Sequence, residues 1–376
     1  MPSEDEPPLS FQEALDLVKL PRRGDVRRFM ATRAAYLPGS DFTKDKEMPM
    51  VHSAAFGGHV YAQSALAAYR AWRELEDEKG VKPSERLDLH TIHGYFTRRG
   101  IPERPFIYDV TPLTASRTFS TLSVTVYQPS EPSTSPDPLG ARFPLADAAL
   151  PLDPPAFTAM CSLKLPEPDS VGVSTQEDPP QKRFAAILAR RAPHEWPPAP
   201  PVDIAGVVAL VGADQAGRFP AVEMRKVDMA PHNDGRPVHE RRELLLYRLL
   251  KPLPPAGGAG DGADGWDANA HVVAHAFVAD RNGLLMAGNH IGFGWSLRRA
   301  ASLSYTFVMH VGAEQAVIRP EDSWWVQEAW FPRTGAGRGI VESKIWSPRG
   351  LHVATEYQDG LIQGLEDGEK GGYSRL

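Results

Sequence analysis

AAFGGHVYAQSALAAYRAW, residues 54–72, is the stretch on which the fold turns. After Gly57 and Gly58 it runs to Trp72 without another Gly or Pro, and Ala is its commonest residue. Val60, Tyr61, Leu66 and Tyr69 add bulk, and apolar residues fall almost all round a 3.6-residue wheel. That distribution predicts a buried helix, not a surface one. Side chains this small let other backbone come close, as a curved sheet wrapped round the helix would require. The Gly pair leaves backbone N–H groups open at the positive end of the helix dipole.

Outward from this helix the chain reads as two halves of one pattern. Residues 11–20 have helical spacing, and residues 27–36 suit a strand. Beyond the helix, residues 87–98, 105–113, 118–128 and 157–165 alternate as four strands. Residues 129–155, rich in Pro and Ser, read as a mobile insertion, and the Pro-rich stretch 166–203 as a linker with a short helix near 183–191. In the second half, 221–229 suits a strand, 240–250 a helix, and 252–267 is Gly/Pro-rich and flexible. Residues 270–286 (AHVVAHAFVADRNGLLM) are the counterpart of the opening helix, followed by strands at 302–311, 323–331, 339–347 and 351–363. Inside that second helix Asn282-Gly283 is a turn signal, which read locally ends the helix at Asp280. The organisation expected is a first domain over 1–165, the linker, a second domain over 204–365 and a flexible tail over 366–376. The two halves share pattern, with little sequence identity.

Composition narrows the function. A length of 376 residues suits two domains, and 42% hydrophobic residues supply their cores. The net charge of −6, with no long basic run, argues against nucleic acid as a partner while leaving room for a local cationic site. The single Cys161 permits no internal disulfide. The acidic start MPSEDEPP lacks the apolar core of a secretory signal, and no apolar run approaches the ~20 residues of a membrane span. His90 and His93, three apart on a strand, face opposite sides, so no metal pair is expected; the Gly-rich 257–265 stretch lacks the ending of a phosphate loop; and no Gly-x-Ser-x-Gly elbow is present.

Five segments in order resemble the type II acyl-CoA thioesterases, the TesB-like family. They are Phe56-Gly57-Gly58-His59; His93-Gly94-Tyr95-Phe96-Thr97-Arg98-Arg99-Gly100; Pro105-Phe106-Ile107-Tyr108-Asp109-Val110; Ala301-Ser302-Leu303; and Val353-Ala354-Thr355-Glu356-Tyr357-Gln358-Asp359-Gly360. The resemblance implies an α+β double hotdog, two curved antiparallel sheets each wrapped round a long helix. It also implies hydrolysis of fatty acyl-CoA to free acid and CoA, with no cofactor beyond the CoA of the substrate. The family's catalytic Asp, Ser/Thr and Gln fall on Asp280, Ser302 and Gln358. The sequence departs from the family where Asp-His commonly follows the Ser/Thr, since Ser304 and Tyr305 stand there. It departs also at His59, in place of Gln, and in an insertion around 311–321.

Thioester hydrolysis needs an aligned water, a base and donors for the oxyanion. Asp280 suits the base; Ser302 and Gln358, which both donate and accept, suit the water. The backbone N–H of Gly58 or His59 suits the oxyanion, with Gly57 clearing the approach. Arg98 and Arg99 suit the CoA phosphates. Each has an ordinary reading beside this one: Asp280 as a helix cap or turn residue, Ser302 and Gln358 as strand residues, the Gly pair as a tight helix entry, His59 as a backbone-satisfied helix start, and the Arg pair as solvated charge. Two other functions stay open, a hotdog enoyl-CoA hydratase or dehydratase and a non-catalytic acyl-CoA-binding protein. The hydratases typically carry His five residues after the Asp, where this chain has Leu285. Ser374-Arg375-Leu376 is one conservative change from the peroxisomal Ser-Lys-Leu, so a peroxisomal location through the import receptor is expected. Association into a homo-oligomer is expected from the burial of sheet edges in hotdog proteins.

Overall fold

Two strands, not one, precede the long helix in each half. The structure, a computed structural model, describes residues 9–39, 54–167, 174–211, 219–253, 268–320 and 324–364. The first half holds β1 (Leu17–Arg23), β2 (Val26–Ala31), the helix Gly57–Glu78, then β3 (Asp88–Phe96), β4 (Ile107–Ala115), β5 (Phe119–Tyr127) and β6 (Phe157–Lys164). The second holds β7 (Val222–Lys226), β8 (Glu243–Leu249), two consecutive helices, Ala268–Ala279 and Gly283–His290, then β9 (Leu297–Met309), β10 (Trp325–Gly335), β11 (Arg338–Trp346) and β12 (His352–Gly364). The flexible stretch expected at 252–267 lies outside the described residues from 254 on, as does the tail from 365.

Two expectations about local structure are corrected. Residues 11–20 are not one helix. The capping box of Ser10 with Glu13 closes a single turn, Phe11–Ala14, and the chain then enters β1, which folds back onto β2 through the two-residue turn at Gly24-Asp25. Residues 240–250 form strand β8, not a helix. Its run Glu243 to Tyr247 is buried throughout, and a short continuous apolar run without alternation reads equally as helix or fully buried strand.

Among the described residues the strands form one twelve-stranded antiparallel sheet in the order β1-β2-β4-β5-β6-β3-β9-β12-β11-β10-β8-β7. Read inward from either end, the two halves have the same order, and they meet where β3 pairs with β9, Ile92 opposite Phe307 and His93 opposite Thr306. This is the double hotdog. The two helices lie inside the curve, against each other. Ala62, Ala65, Ala67, Ala68 and Ala71 have no exposed surface, because the sheet covers one side of the first helix and the second helix the other.

The outer face is covered too. Residues 129–155, expected to be mobile, are packed: Phe143 fills a cluster with Leu20, Met30 and Ile107, and the fully buried Asp147 accepts hydrogen bonds from Ser133 and Thr134. Low local periodicity hid this, since one aromatic and one capped carboxylate do the anchoring. Over the second half, Phe184 and Trp196 pack on Leu244, Leu246, Val326 and Trp346, and Arg183 makes a bidentate pair with buried Glu328 at 2.8 and 2.5 Å. The chain at Pro197 and Ala199 then bonds along the free edge of β7, while edge strand β1 carries Pro21. Both devices blunt sheet edges.

Candidate active site

The second central helix is expected to run through 270–286. It breaks instead at Asp280-Arg281-Asn282, where the turn signal lay. Asn282 takes a left-handed conformation, φ 59°, which Asn tolerates better than most residues. The break is pinned from the linker: Arg281 donates to the Ala199 carbonyl at 2.9 Å and Asn282 to that of Pro200 at 2.7 Å, with the Arg281 guanidinium 4.0 Å above the Phe219 ring. Asp280 is thereby left at the helix end with its carboxylate aimed at the other half of the molecule.

Ser302 reaches the same place through a bulge. Across β9 and β12, Ser304 pairs with Asp359 but Ser302 pairs with the next residue, Gly360, so Leu303 is extra. In a regular strand, alternation from buried Tyr305 would turn Ser302, three residues away, to the outer face; the bulge re-aims it inward. Gln358 lies on the inner face of β12, 2% exposed.

The geometry joins all three. Gln358 Nε2 donates to Asp280 Oδ1 at 3.0 Å and to Ser302 Oγ at 2.7 Å. Across the interface, the N–H of Gly58 donates to Asp280 Oδ2 at 2.5 Å. Such approach requires glycine. A Cβ on Gly58 would lie 2.7 Å from the Phe56 ring and 2.9 Å from Asp280 Cβ. Burial pushes the Asp280 carboxyl well above the usual carboxylate range, against the hydrogen bonds from Gly58 and Gln358, which act to lower it. A desolvated carboxylate with two fixed donors is a strong base held in one orientation. Its side chain caps neither adjoining helix.

Comparison with known proteins agrees with this architecture. Residues 44–136 match the family model described as the acyl-CoA thioesterase N-terminal domain. Human acyl-coenzyme A thioesterase 8 is 22% identical over 351 residues, spanning 90% of this chain and 91% of that protein. Acyl-CoA thioesterase 2 of Haemophilus influenzae is 40% identical over 73 residues, 19% of this chain and 22% of its own. Among solved structures, the acyl-CoA thioesterase II TesB2 of Mycobacterium marinum superposes with a TM-score of 0.58 at 20% identity, covering 95% of this chain and 98% of its own. The chain has the double hotdog fold of that structure.

The oxyanion expectation needs correction. The Gly58 N–H is already held by Asp280, and the His59 N–H donates to the Phe56 carbonyl at 3.1 Å. Gly57, the first residue of its helix, has an N–H outside the intrahelical ladder and stands beside Asp280 Oδ2 and the Phe96 ring. His59 is 1% exposed, edge-on to Phe277, and burial holds its imidazole down to about 3, so it stays neutral and serves as wall. Arg98 and Arg99 are exposed; Arg98 lies 3.8 Å from Asp153. Their loop reaches the helix mouth, because Gly100 accepts from the Ala55 N–H at 3.0 Å. The insertion around 311–321 includes the turn Ala313–Ala316, where the Ala316 carbonyl meets His275 Nε2 at 2.7 Å.

Two further residues, Phe96 and Glu356, border the site without a local motif to mark them. Phe96 walls the site beside Gly57. Glu356, two residues before Gln358 on the same strand, is fully buried on the same face. Strand alternation counted back from Gln358 is the signal that would have found it.

Proposed function

We propose that this chain hydrolyses fatty acyl-CoA thioesters to free acid and CoA, with Asp280 as base and Gln358 and Ser302 as the residues that hold the water. The observation that carries the reading is the bracketed carboxylate: Asp280 is buried, ionisable and fixed at the junction of the two halves by Gly58 and Gln358. A water beside it can give a proton to Asp280 while the Ser302 hydroxyl, held by the amide of Gln358, donates to one of its lone pairs. The water oxygen attacks the thioester carbonyl carbon, and the tetrahedral oxyanion forms at the helix mouth, where Gly57 and the dipole offer stabilisation. The C–S bond then breaks, and the proton held by Asp280 passes to the departing thiolate, which restores the base. Arg98 and Arg99, exposed on the loop at the mouth, are placed to meet CoA phosphates.

The hydratase reading is disfavoured by the partners of Asp280. Its oxygens accept from a backbone N–H and an amide, and neither bond involves an imidazole. Incubating purified protein with a series of acyl-CoA esters, and measuring free thiol with free fatty acid, tests the proposal. Binding without thiol release would support the non-catalytic reading, and hydration of an enoyl-CoA the hydratase one.

A peroxisomal location is proposed on Ser374-Arg375-Leu376 alone, which lies outside the described residues. Colocalisation of a tagged protein lacking that tripeptide with peroxisomes would remove the proposal.

A further inference from the structure

Behind the base lies a group of buried polar atoms that the hydrolysis does not use. Glu356 is fully buried, and neither of its carboxyl oxygens has a hydrogen-bond partner among the described residues. The hydroxyl of Tyr305, 1% exposed, has none, and neither has Gln358 Oε1. Burying a polar group unpaired costs roughly 2–7 kcal/mol and a charge more, so native structures rarely leave several together without purpose.

These atoms lie on the inner face of the sheet. Tyr305 on β9 is the cross-strand partner of Gln358 on β12. Glu356 precedes Gln358 by two residues, so both point inward, about 7 Å apart along the strand. Tyr61 closes the group from the first helix, its ring 5.1 Å from that of Tyr305. Burial pushes the Tyr61 hydroxyl up, and the charges of Cys161, Glu356 and Asp280 add to that. Phe96 stands 6.2 Å from Tyr305 and also beside Gly57, so an aromatic wall runs from the helix mouth to this group.

We propose that Glu356 and Tyr305 form a polar subsite in the acyl pocket that selects acyl groups bearing a hydroxyl. The inference rests on the thioesterase reading for its substrate, and on the orphaned atoms for its content. A plain alkyl chain would leave the carboxyl and phenol unpaired. A hydroxyl supplies a donor for Glu356 and an acceptor for the Tyr305 O–H. Burying a carboxylate of the chain here would cost far more than burying a neutral hydroxyl, so the class is neutral hydroxyacyl. Tyr305 is also where this chain departs from the Asp-His of the family pattern. A site built to hydrogen-bond a substrate hydroxyl discriminates strongly against the analogue that lacks it.

The test compares octanoyl-CoA with a positional series of monohydroxyoctanoyl-CoA esters. Hydrolysis is measured with the wild-type protein, Glu356→Leu and Glu356→Gln; binding is measured with the same three pocket states in an Asp280→Asn background. In the wild type at least one hydroxylated ester should exceed octanoyl-CoA in kcat/KM and in affinity by about tenfold or more. Glu356→Leu should reverse the preference, and Glu356→Gln, which keeps hydrogen bonding without charge, should retain part of it. Preference for the plain chain at every position, or an unchanged ratio in Glu356→Leu, would overturn the proposal. Should Glu356→Leu not fold, loss of the preference in Tyr305→Phe decides, and its persistence there refutes. If the wild type hydrolyses none of the esters, the thioesterase reading fails, while the binding ratios still decide the subsite.

Discussion

Replacing Asp280 by Asn separates chemistry from architecture at a single atom. Asp280 accepts two hydrogen bonds, from the Gly58 N–H at 2.5 Å and from Gln358 Nε2 at 3.0 Å. An Asn keeps one acceptor and gains an amide donor. The Gly58 N–H is backbone and cannot reverse, so the Asn oxygen must face it. The Asn amide then faces Gln358, whose own amide can rotate to present Oε1; Ser302 can answer by donating to that same oxygen. Every bond of the bracket is thereby re-formed, at a cost within about 1 kcal/mol. Burial opposes the charged form of Asp280, so removing the ionisable group also lifts a penalty, and folding stability should hold or rise. Turnover should not hold. An Asn cannot take the water's proton, and loss of a general base costs about 100- to 10,000-fold, equivalent to roughly 2.7–5.4 kcal/mol in the barrier. Single-turnover thiol release, read beside acyl-CoA binding and thermal unfolding, isolates that term. A folded, binding-competent Asp280→Asn protein that turns over at the wild-type rate would remove Asp280 from the mechanism and dissolve the role given to Gln358.

Gly58→Ala should lower turnover at least tenfold and destabilise the protein by about 1–3 kcal/mol through overpacking, because its Cβ meets the Phe56 ring and Asp280; wild-type unfolding and kinetics would show that the helix mouth has slack. Ser302→Ala should reduce kcat by about 10- to 100-fold, on the scale of one lost charge-orienting hydrogen bond, with binding of octanoyl-CoA preserved; an unaltered kcat would make the bulge at Leu303 incidental. Phe143→Ala should cost about 3–5 kcal/mol, measured by denaturant unfolding, whereas a mobile 129–155 segment would show no change. The log of kcat should fall as pH drops through the Asp280 pKa, and that acid limb should lie above the ordinary carboxylate range because burial raises it. Asp280 and Glu356 both have folded-state pKa values raised by burial. Their contribution to stability is therefore full below the unfolded values near 4 and is lost as pH rises through the folded ones. Glu356→Gln should flatten that alkaline loss, and an identical pH-stability curve would contradict it.

Periodicity and residue type, both local properties, made much of this molecule legible in advance. The Ala-rich run after Gly57 and Gly58 can only be a helix with backbone close on several sides, and the alternation after it can only be strands. Asn282-Gly283 announced the break beside Asp280, while Asp280, Ser302 and Gln358 stood out as one set only through the resemblance of ordered segments to a known family. Long-range contacts decided the rest. Within strand 243–249, Glu243 to Tyr247 are buried on both faces, which removes the alternation that would have marked it as a strand. Residues 129–155 became ordered because Phe143 found Met30 and Ile107 far away in sequence. Ser302 faces Gln358 only because Leu303 is extruded from the pairing of β9 with β12, and a register shift belongs to two strands, not to one. The Gly58 N–H is spent on Asp280, and Glu356 is left unpaired beside Tyr305, through the docking of two halves distant in the chain. Local sequence fixes which groups a segment can offer; which of them meet, and which stay without a partner, is settled when sheet and helices close around one another.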